Sequence, residues 1–387
     1  MKISLLKISF RNMEILFLLD YYSPHRWWIE NVFEHLINWL LEKWYKITLI
    51  TSRFDSELKN QEKVWNLTIY RVWKWRKWFF FKWFMKAYEV LRKNKNIKII
   101  HSSSYTSAIP ASILSKLFHK KSIATIHEIF GKLRKELKPR YSRWIFELFE
   151  WLMIKFPHDI YHCVSLYTLN SLRIKWWISD KKLHLVYNGV DNDFWDMKKV
   201  KKSEIDEWKN KYWWNDSYLI SYYGHAWKTK WIDLLVEAIP QILKENPDSK
   251  LLFNIIPSKR SDDIVERINF ISKQLKAENR IQIFRWFSRG DLRIFVACGD
   301  IIIAPSLAEW FGSVHSEACA MWKNLITSNL AAIPEVVSGN VILMSPPSEK
   351  WICESIQKIR NWNFDRIPEK KFSWGEMIDK VECLYKI

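Results

Sequence analysis

Short apolar runs rich in β-branched residues alternate along the chain with longer stretches in which apolar residues recur at helical spacing. The run Met13–Asp20, for example, precedes Ile29–Lys43, where apolar residues return every three or four positions. The first pattern predicts a buried strand and the second an amphipathic helix. Strands that alternate with helices predict parallel sheets covered by helices on both faces.

The alternation occurs in two series, separated by a polar segment. The predicted strands of the first series are Met13–Asp20, Tyr45–Thr51, Leu67–Val72, Ile97–His101, Ser122–His127, Asp159–Ser165 and Leu183–Gly189. Those of the second are Tyr218–Gly224, Lys250–Ile256, Arg280–Phe284, Asp300–Pro305, Leu325–Ser328 and Val341–Met344. We therefore predict an α/β protein of two doubly wound, Rossmann-like domains that face each other across a cleft. Ligands in such folds bind at the carboxyl ends of the strands.

The predicted boundaries follow from these two series. An N-terminal domain spans 1–190, a linker 191–216 and a second domain 217–361. The last segment, 362–387, ends in an amphipathic helix that we expect to return to the N-terminal domain.

The charge balance indicates an anionic partner. Lys and Arg number 61 against 42 Asp and Glu, a formal net charge of +19, which suits phosphate, a lipid headgroup or a nucleic acid. Hydrophobic residues make up 48% of the 387 residues, as in ordinary globular proteins. No uncharged apolar run reaches the roughly 18 residues of a membrane-spanning helix. The five scattered cysteines, without a C-x-x-C pair, favour a reduced, cytoplasmic protein without a metal site.

Glycine and tryptophan occur at abnormal frequencies. The chain has 8 Gly and 25 Trp, whereas an average composition would give about 27 glycines. Trp44 follows a predicted helix at the position where glycine is usual, and other tryptophans lie in turn-like segments. We hypothesise that many of them are glycines in the organism, since some bacterial lineages read the codon UGA as Gly. The alternative is a genuinely Trp-rich interfacial protein.

The most informative segment for chemistry runs from Pro305 to Glu317, from the end of a predicted strand into a predicted helix. Glu309 lies on the loop, and Gly312-Ser313 opens the helix, whose backbone N–H groups form a ready site for an anion. Carboxylates at Glu309 and Glu317 can accept hydrogen bonds from sugar and ribose hydroxyls. The alternative is that both are ordinary helix and surface carboxylates.

Three further segments follow predicted strands. Lys228 and Lys230 precede a helix at a position suited to a phosphate, with Gly224 and His225 just before them. His127-Glu128 ends a strand of the first series. Trp27-Trp28, if read as Gly-Gly, would let the backbone approach an anion closely. Each segment also has an alternative without function. The two lysines can be solvated surface residues, His127 can be a structural histidine, and Trp27-Trp28 can lie in an ordinary turn.

Together these segments resemble retaining glycosyltransferases of family 4, which have the GT-B fold. The motifs that carry the resemblance are Trp27-Trp28-Ile29-Glu30, His127-Glu128, Asn188-Gly189-Val190-Asp191, Gly224 through Trp231, and Pro305 through Glu317. The resemblance spans roughly residues 13 to 387. The sequence departs from the family pattern at His225, which stands in place of Arg. It also has tryptophan in place of Gly at Trp27, Trp28, Trp231 and Trp310.

The resemblance implies transfer of a hexose-type sugar from a nucleotide-diphosphate sugar to a glycan or lipid-linked acceptor. It implies retention of the anomeric configuration and no need for a metal or cofactor. The first domain would serve the acceptor and the second the donor. The implied catalytic residues are His127 beside the anomeric carbon, Glu309 on the transferred sugar and Lys230 on the diphosphate.

The implied donor-binding residues include Glu317, which would hold the ribose, and Arg285, which would lie near the base. The full set is His225, Lys230, Arg285, Trp310, Phe311, Gly312, Ser313, Glu317, Trp27 and Trp28.

Basic and aromatic residues are interleaved in the first domain. The segment Arg71–Lys98 has ten Lys and Arg and one acidic residue, and Arg134–Arg143 is a second basic cluster followed by the apolar Trp144–Phe156. This pattern suits reversible contact with an anionic membrane. Taken with the family resemblance, it leads us to expect a cytoplasmic protein that can bind the inner face of the plasma membrane in bacterial cell-envelope polysaccharide synthesis. An ordinary amphipathic helix with a lysine face is the alternative.

Other function classes remain open at this point. A GT-B nucleotide-sugar epimerase or an inactive sugar-nucleotide-binding relative would share the architecture. A basic membrane- or nucleic-acid-binding protein is the alternative of another class, although no nucleic-acid motif occurs and we expect no nucleic-acid partner.

Overall fold

A computed structural model describes residues 13–25, 28–72, 76–103, 106–129, 143–364 and 366–387. The chain divides into two compact units, one of Met1–Gly189 with Trp374–Ile387 and one of Val190–Ser373. The predicted site residue Trp27, and most of the predicted basic cluster Arg134–Arg143, lie outside the described residues.

The first unit is built on a sheet with eight strands among the described residues. They are β1 Glu14–Leu18, β2 Lys46–Ser52, β3 Gln61–Val64, β4 Leu67–Val72, β5 Ile97–Ser102, β6 Lys121–Ile126, β7 Ile160–Cys163 and β8 Leu183–Leu185. Their order is β3-β4-β2-β1-β5-β6-β7-β8, and only β3 is antiparallel to its neighbour. The sequence pattern missed β3 because this edge strand exposes most of its residues and so shows no apolar alternation.

Helices cover both faces of this sheet. They are α1 Trp28–Glu42, α2 Arg76–Lys93, α3 Ala108–Leu117, α4 Arg143–Lys155, α5 Leu166–Trp176 and α13 Trp374–Lys386. Helices α1 and α13 share one core with the sheet, in which Phe33 and Val381 are buried. Helices α2 and α3 build a second core around the fully buried Trp83. The C-terminal helix thus belongs to the first unit, where the amphipathic pattern of 374–387 buries its apolar stripe.

The second unit contains a sheet with seven strands among the described residues. They are β9 Tyr218–His225, β10 Ser249–Ile256, β11 Ile281–Phe284, β12 Ile301–Ala304, β13 Asn324–Ser328, β14 Gly339–Met344 and β15 Arg366–Ile367. Their order is β11-β10-β9-β12-β13-β14-β15, and only β15 is antiparallel. The chain therefore reverses its direction of winding between β9 and β12, which makes this pair the topological switch point of the sheet.

The helices of the second unit are α6 Lys202–Tyr212, α7 Ile232–Glu245, α8 Lys259–Gln274, α9 Arg289–Cys298, α10 Ser313–Ala320, α11 Ile333–Val336 and α12 Glu349–Arg360. The segment 191–216, predicted as a linker, contains α6 and belongs to this unit. None of the residues of α6 is buried, so this helix is as polar as a linker. Polar composition alone therefore could not distinguish the two. Among the described residues, every helix falls short of the length and apolar character needed to cross a membrane.

Tryptophans occupy the left-handed backbone conformation that glycine normally takes. Of the ten non-glycine residues with positive φ in the described ranges, seven are Trp: Trp44, Trp65, Trp177, Trp213, Trp231, Trp322 and Trp362. Trp177 and Trp213 are the left-handed C-caps of α5 and α6. A Cβ atom makes this conformation unfavourable by roughly 1–2 kcal/mol per residue, whereas glycine adopts it freely. The backbone is thus shaped for glycine where the sequence has tryptophan.

We predict that replacing Trp213 by Gly stabilises the protein relative to the matched replacement Trp286→Gly. Trp213 has a φ of 62° and is 82% exposed, while Trp286 is 70% exposed and is not among the residues with positive φ. Both variants gain the same entropy in the unfolded chain, so the free energy of unfolding should differ by roughly 1–2 kcal/mol in favour of Trp213→Gly. Urea denaturation measures this difference, and equal effects would contradict it.

Candidate active site

Most of the predicted donor residues of the second unit lie on loops at the switch point of its sheet, whereas Arg285 follows the edge strand β11, two strands away. The adjacent parallel strands β9 and β12 end at the same edge. The turn Lys228–Lys230 follows β9, and the loop that carries Glu309 follows β12 and leads into α10. Both loops therefore start from strands held in register by the sheet, which fixes the positions of their side chains.

Two contacts join these loops. The Leu307 backbone N–H donates to the Thr229 carbonyl at 2.8 Å, and the Lys230 ammonium donates to the Glu309 carboxylate at 2.6 Å. The side chains of Lys230 and Glu309 are only 16% and 9% exposed. The sequence placed both residues at strand ends, and the structure brings them into direct contact.

Glu309 is held by more than its lysine. The Ser306 hydroxyl donates to the same carboxylate oxygen at 2.7 Å, and the Ala332 N–H donates to the Glu309 backbone carbonyl at 3.1 Å. Burial acts to raise the pKa of Glu309, but the Lys230 charge and the hydrogen bonds that Lys230 and Ser306 donate to the carboxylate outweigh it, so the pKa is lowered. The site thus holds an ionised carboxylate beside an ammonium group in a partly dehydrated pocket.

The N-terminus of α10 forms the opposite side of this loop. Gly312 has a φ of +85°, and a Cβ atom there would lie 2.9 Å from the His315 Nδ1 atom and 3.4 Å from Glu309 side-chain atoms. Only glycine fits both the space and the conformation. Ser313 begins the helix, and Phe311 is buried with its ring edge-on to Phe372 at 5.3 Å. The first N–H groups of α10 therefore come close to the buried pair.

His315 was not singled out from the sequence. It is fully buried, and its Nε2 atom lies 2.8 Å from the Thr327 hydroxyl. That hydroxyl donates to the Ala304 carbonyl at 2.7 Å, so Nε2 carries the proton and donates to it. Burial, despite Glu309 nearby, lowers the pKa of His315 to about 4. A neutral His315 thus ties the first turn of α10 to the ends of β12 and β13.

Glu317 lies in the second turn of α10 and is half-buried. Burial raises its pKa to about 8, against the opposing charges of Arg289 and Lys230. A protonated Glu317 can both donate to and accept from a hydroxyl group.

Arg289, at the start of α9, was also missed by the sequence analysis. Its guanidinium donates to Asp191 at 2.6 Å and lies 4.1 Å from the centre of the Phe194 ring. The signal that could have revealed Arg289 was its place at the opening of a helix.

His225 and Arg285 have surroundings that the sequence did not indicate. The His225 ring stacks on Trp227, with centroids 4.3 Å apart, and burial followed by the Lys230 charge lowers its pKa to about 4. The Arg285 guanidinium bonds to the Ser261 hydroxyl at 3.2 Å and pairs with Asp262 at the start of α8. Trp310 is half-buried on the Glu309 loop.

The predicted residues of the first unit lie at the starts and ends of its central elements. His127 directly follows β6, is 6% exposed and packs edge-on to Phe33 at 5.7 Å. Burial, together with His162, lowers the pKa of His127 to about 3, so its imidazole is neutral at physiological pH. Trp28 is the first residue of α1, with its ring 6.2 Å from that of Trp374.

Within the described ranges, no three His, Cys, Asp or Glu side chains gather in a way that could hold a metal ion.

The fold is that of a GT-B glycosyltransferase. The family model "Glycosyltransferase Family 4" matches residues 29–194, and "Glycosyl transferases group 1" matches residues 204–369. The two matches together span most of the chain, which belongs to glycosyltransferase family 4.

Relatives and solved structures agree with this assignment. The gpi3 subunit of phosphatidylinositol N-acetylglucosaminyltransferase from Schizosaccharomyces pombe is 21% identical over 95% of this chain and 79% of its own length. The crystal structure of a glycosyltransferase from Rickettsia africae has a TM-score of 0.74 at 19% identity, covering 97% of this chain and 98% of its own. The HepE protein of Anabaena in complex with UDP also has a TM-score of 0.74, at 13% identity, covering 97% of this chain and all of its own. These solved structures share the two-domain α/β fold.

We predict that Lys230 and Glu309 stabilise the protein as a coupled pair. The variant Lys230→Met leaves a buried carboxylate without its counter-charge and should lower the free energy of unfolding by about 3 kcal/mol. The double variant Lys230→Met/Glu309→Gln should lose less than the sum of the single variants, by about 1 kcal/mol or more. Urea unfolding of the four proteins gives the coupling energy.

The control is Lys228→Met, which removes an exposed lysine from the same turn and should change the stability by less than about 0.5 kcal/mol. Additive effects of Lys230→Met and Glu309→Gln would show that the two side chains do not interact.

Proposed function

We propose that this protein transfers a hexose-type sugar from a nucleoside-diphosphate sugar to a glycan or lipid-linked acceptor, with retention of the anomeric configuration and without a metal ion. The observation that carries this proposal is the buried Lys230–Glu309 pair beside the opening of α10, at the switch point of the second sheet. It combines a cation for a diphosphate, N–H groups for its oxygens and a carboxylate for sugar hydroxyls.

The donor assignment has two supports. Open α/β sheets bind their ligands at such a switch point, and the solved structure of Anabaena HepE is a complex with UDP. On donor binding, Lys230 would neutralise the diphosphate and Glu309 would accept hydrogen bonds from the transferred sugar. Glu317 would hold the ribose hydroxyls, with the backbone amides of Phe311 and Gly312 on the sugar or phosphate.

In the proposed reaction, the bond between the anomeric carbon and the diphosphate oxygen breaks, and negative charge grows on the departing nucleoside diphosphate. Lys230 and the N–H groups of α10 stabilise that charge without having to reorganise. The acceptor hydroxyl forms the new bond on the same face of the sugar, and its proton passes to the departing phosphate. We also propose a catalytic role for His127, which burial keeps uncharged.

The acceptor class is supported by the relatives. The Schizosaccharomyces pombe relative belongs, by its name, to a phosphatidylinositol N-acetylglucosaminyltransferase, which favours a phosphorylated lipid acceptor for this chain. The net charge of +19 supports reversible contact with an anionic membrane, which we place on the cytoplasmic side.

We predict that Lys230→Ala lowers kcat/KM for sugar transfer at least ~100-fold, because the charge that develops on the leaving group loses its main stabiliser. Glu309→Gln should reduce transfer similarly. The measurement is turnover with a panel of sugar nucleotides, and NMR of the product should show a retained anomeric configuration in the presence of EDTA.

The exposed Lys244→Ala is the matched control and should retain activity. Lack of turnover with every sugar nucleotide would refute the transferase, whereas an inverted product would refute retention alone.

We also propose that glycine replaces many of these tryptophans in the organism, through UGA read as Gly. The support is the left-handed backbone at seven tryptophans, including Trp231 beside Lys230. The codons of the gene test this directly, because UGG codons at Trp27, Trp28, Trp231 and Trp310 would refute it.

The same hypothesis predicts tighter donor binding when glycine is restored at the site. The variant Trp28→Gly/Trp231→Gly/Trp310→Gly should bind UDP at least ~10-fold more tightly by calorimetry, since indoles would crowd the ligand. The control variant Trp65→Gly/Trp177→Gly/Trp362→Gly relieves the same backbone conformation at other positions and should leave UDP affinity unchanged.

A further inference from the structure

Two helices of the first unit present aromatic and apolar side chains to solvent. On α2, Phe81 is 64% and Met85 47% exposed, and on α4, Trp144 is 62% and Trp151 46% exposed. Each pair recurs at a spacing of four or seven residues, so each lies along one helix face. We call these four residues, together with Lys82 and Arg92, the apolar-basic face.

These side chains are not needed by the core of the unit. Helix α2 already buries Trp83, Ala87 and Leu91, and α4 buries Met153. The exposed residues therefore lie away from the buried side of each helix. Apolar side chains gathered outside the core typically mark an interaction site.

The topology places α2 and α4 in one layer. Both pack against α3, which lies between them on the same face of the sheet. Helix α2 connects the parallel strands β4 and β5, and α4 connects β6 and β7. A helix that connects parallel strands starts at the carboxyl edge of the sheet, so Phe81 and Trp144 lie toward the edge where His127 follows β6.

The charge of this surface identifies its partner. A groove of about 670 Å³ runs beside α2, and its lining includes Arg71, Lys82, Lys86 and Arg92 against a single acidic residue, Glu89. Arg71 and Lys86 pair with Glu62 and Glu89. Lys82 and Arg92 are exposed at the rim of the groove. Cations beside exposed aromatic side chains match the interface of an anionic bilayer.

A second copy of this chain fits the surface less well. Two copies meeting through this face would bring Lys82 and Arg92 toward their own equivalents, and like charges in contact oppose association. An anionic lipid surface meets the same cations with opposite charge and also accepts the apolar side chains.

We propose that the apolar-basic face docks the first unit onto an anionic phospholipid bilayer, with Phe81, Met85, Trp144 and Trp151 inserted at the headgroup level and Lys82 and Arg92 on lipid phosphates. The docking proposal rests on the proposed function in one respect, the lipid-linked acceptor. In a docked protein, that acceptor would enter along the carboxyl edge of the first sheet. Docking itself is independent of turnover.

Co-sedimentation with vesicles tests the docking. We compare phosphatidylcholine vesicles with vesicles in which about one third of the lipid is phosphatidylglycerol. The unmodified protein should partition at least ~10-fold more strongly onto the anionic vesicles. Phe81→Ser/Met85→Ser and Trp144→Ser/Trp151→Ser should each weaken that partition ~10-fold or more, and Lys82→Glu/Arg92→Glu should remove the preference for anionic lipid.

Matched controls come from the second unit. Phe270→Ser/Leu275→Ser removes two exposed apolar side chains, and Lys259→Glu/Lys273→Glu reverses two exposed charges of α8. Both should bind vesicles as the unmodified protein does. Circular dichroism and urea unfolding confirm that each variant is folded.

Three results would overturn the inference: partition that ignores phosphatidylglycerol, equal losses in the control variants, or apolar variants that only dissociate an oligomer in sedimentation velocity. The two proposals fail separately. Absence of vesicle binding with intact sugar transfer refutes the docking alone, and intact vesicle binding without transfer from any sugar nucleotide refutes the proposed function alone.

Discussion

The contact on which the second unit depends is the ion pair between Lys230 and Glu309. It joins the loops after two adjacent parallel strands and lies in a pocket where water screens it little. An ammonium and a carboxylate can remain charged there because each is the counter-ion of the other and Ser306 adds a hydrogen bond. The same arrangement keeps a cation and an anion side by side at the switch point of the second sheet.

Histidines surround the candidate sites without adding charge to them. Burial lowers the pKa of His127 to about 3 and those of His225 and His315 to about 4, so all three are neutral near pH 7. The positive potential beside Glu309 therefore comes from Lys230 and the N–H groups of α10, while Arg289 acts on Glu317. His225 therefore adds no positive charge beside Lys230 near pH 7.

The tryptophans connect composition to backbone geometry. The composition alone shows an excess of Trp and a deficit of Gly. The structure adds that seven tryptophans among the described residues have the left-handed backbone conformation that glycine normally takes. Glycine avoids the clash that a Cβ atom makes in this conformation. The hypothesis of recoded glycine accounts for both the composition and the conformation, and it includes Trp231, the residue next to Lys230.

The sequence by itself determined the two series of strands and helices, the family, and the strand ends that carry Lys230, Glu309 and Glu317. These follow from local periodicity and short motifs, which act over a few neighbouring residues. Only the tertiary structure decided that Lys230 pairs with Glu309, and that His315 and Arg289 lie close to this pair and to Glu317. It also decided that 191–216 contains a helix of the second unit, and that α2 and α4 expose apolar residues in one layer. These depend on contacts between residues far apart in the chain, and on burial, which no local pattern encodes.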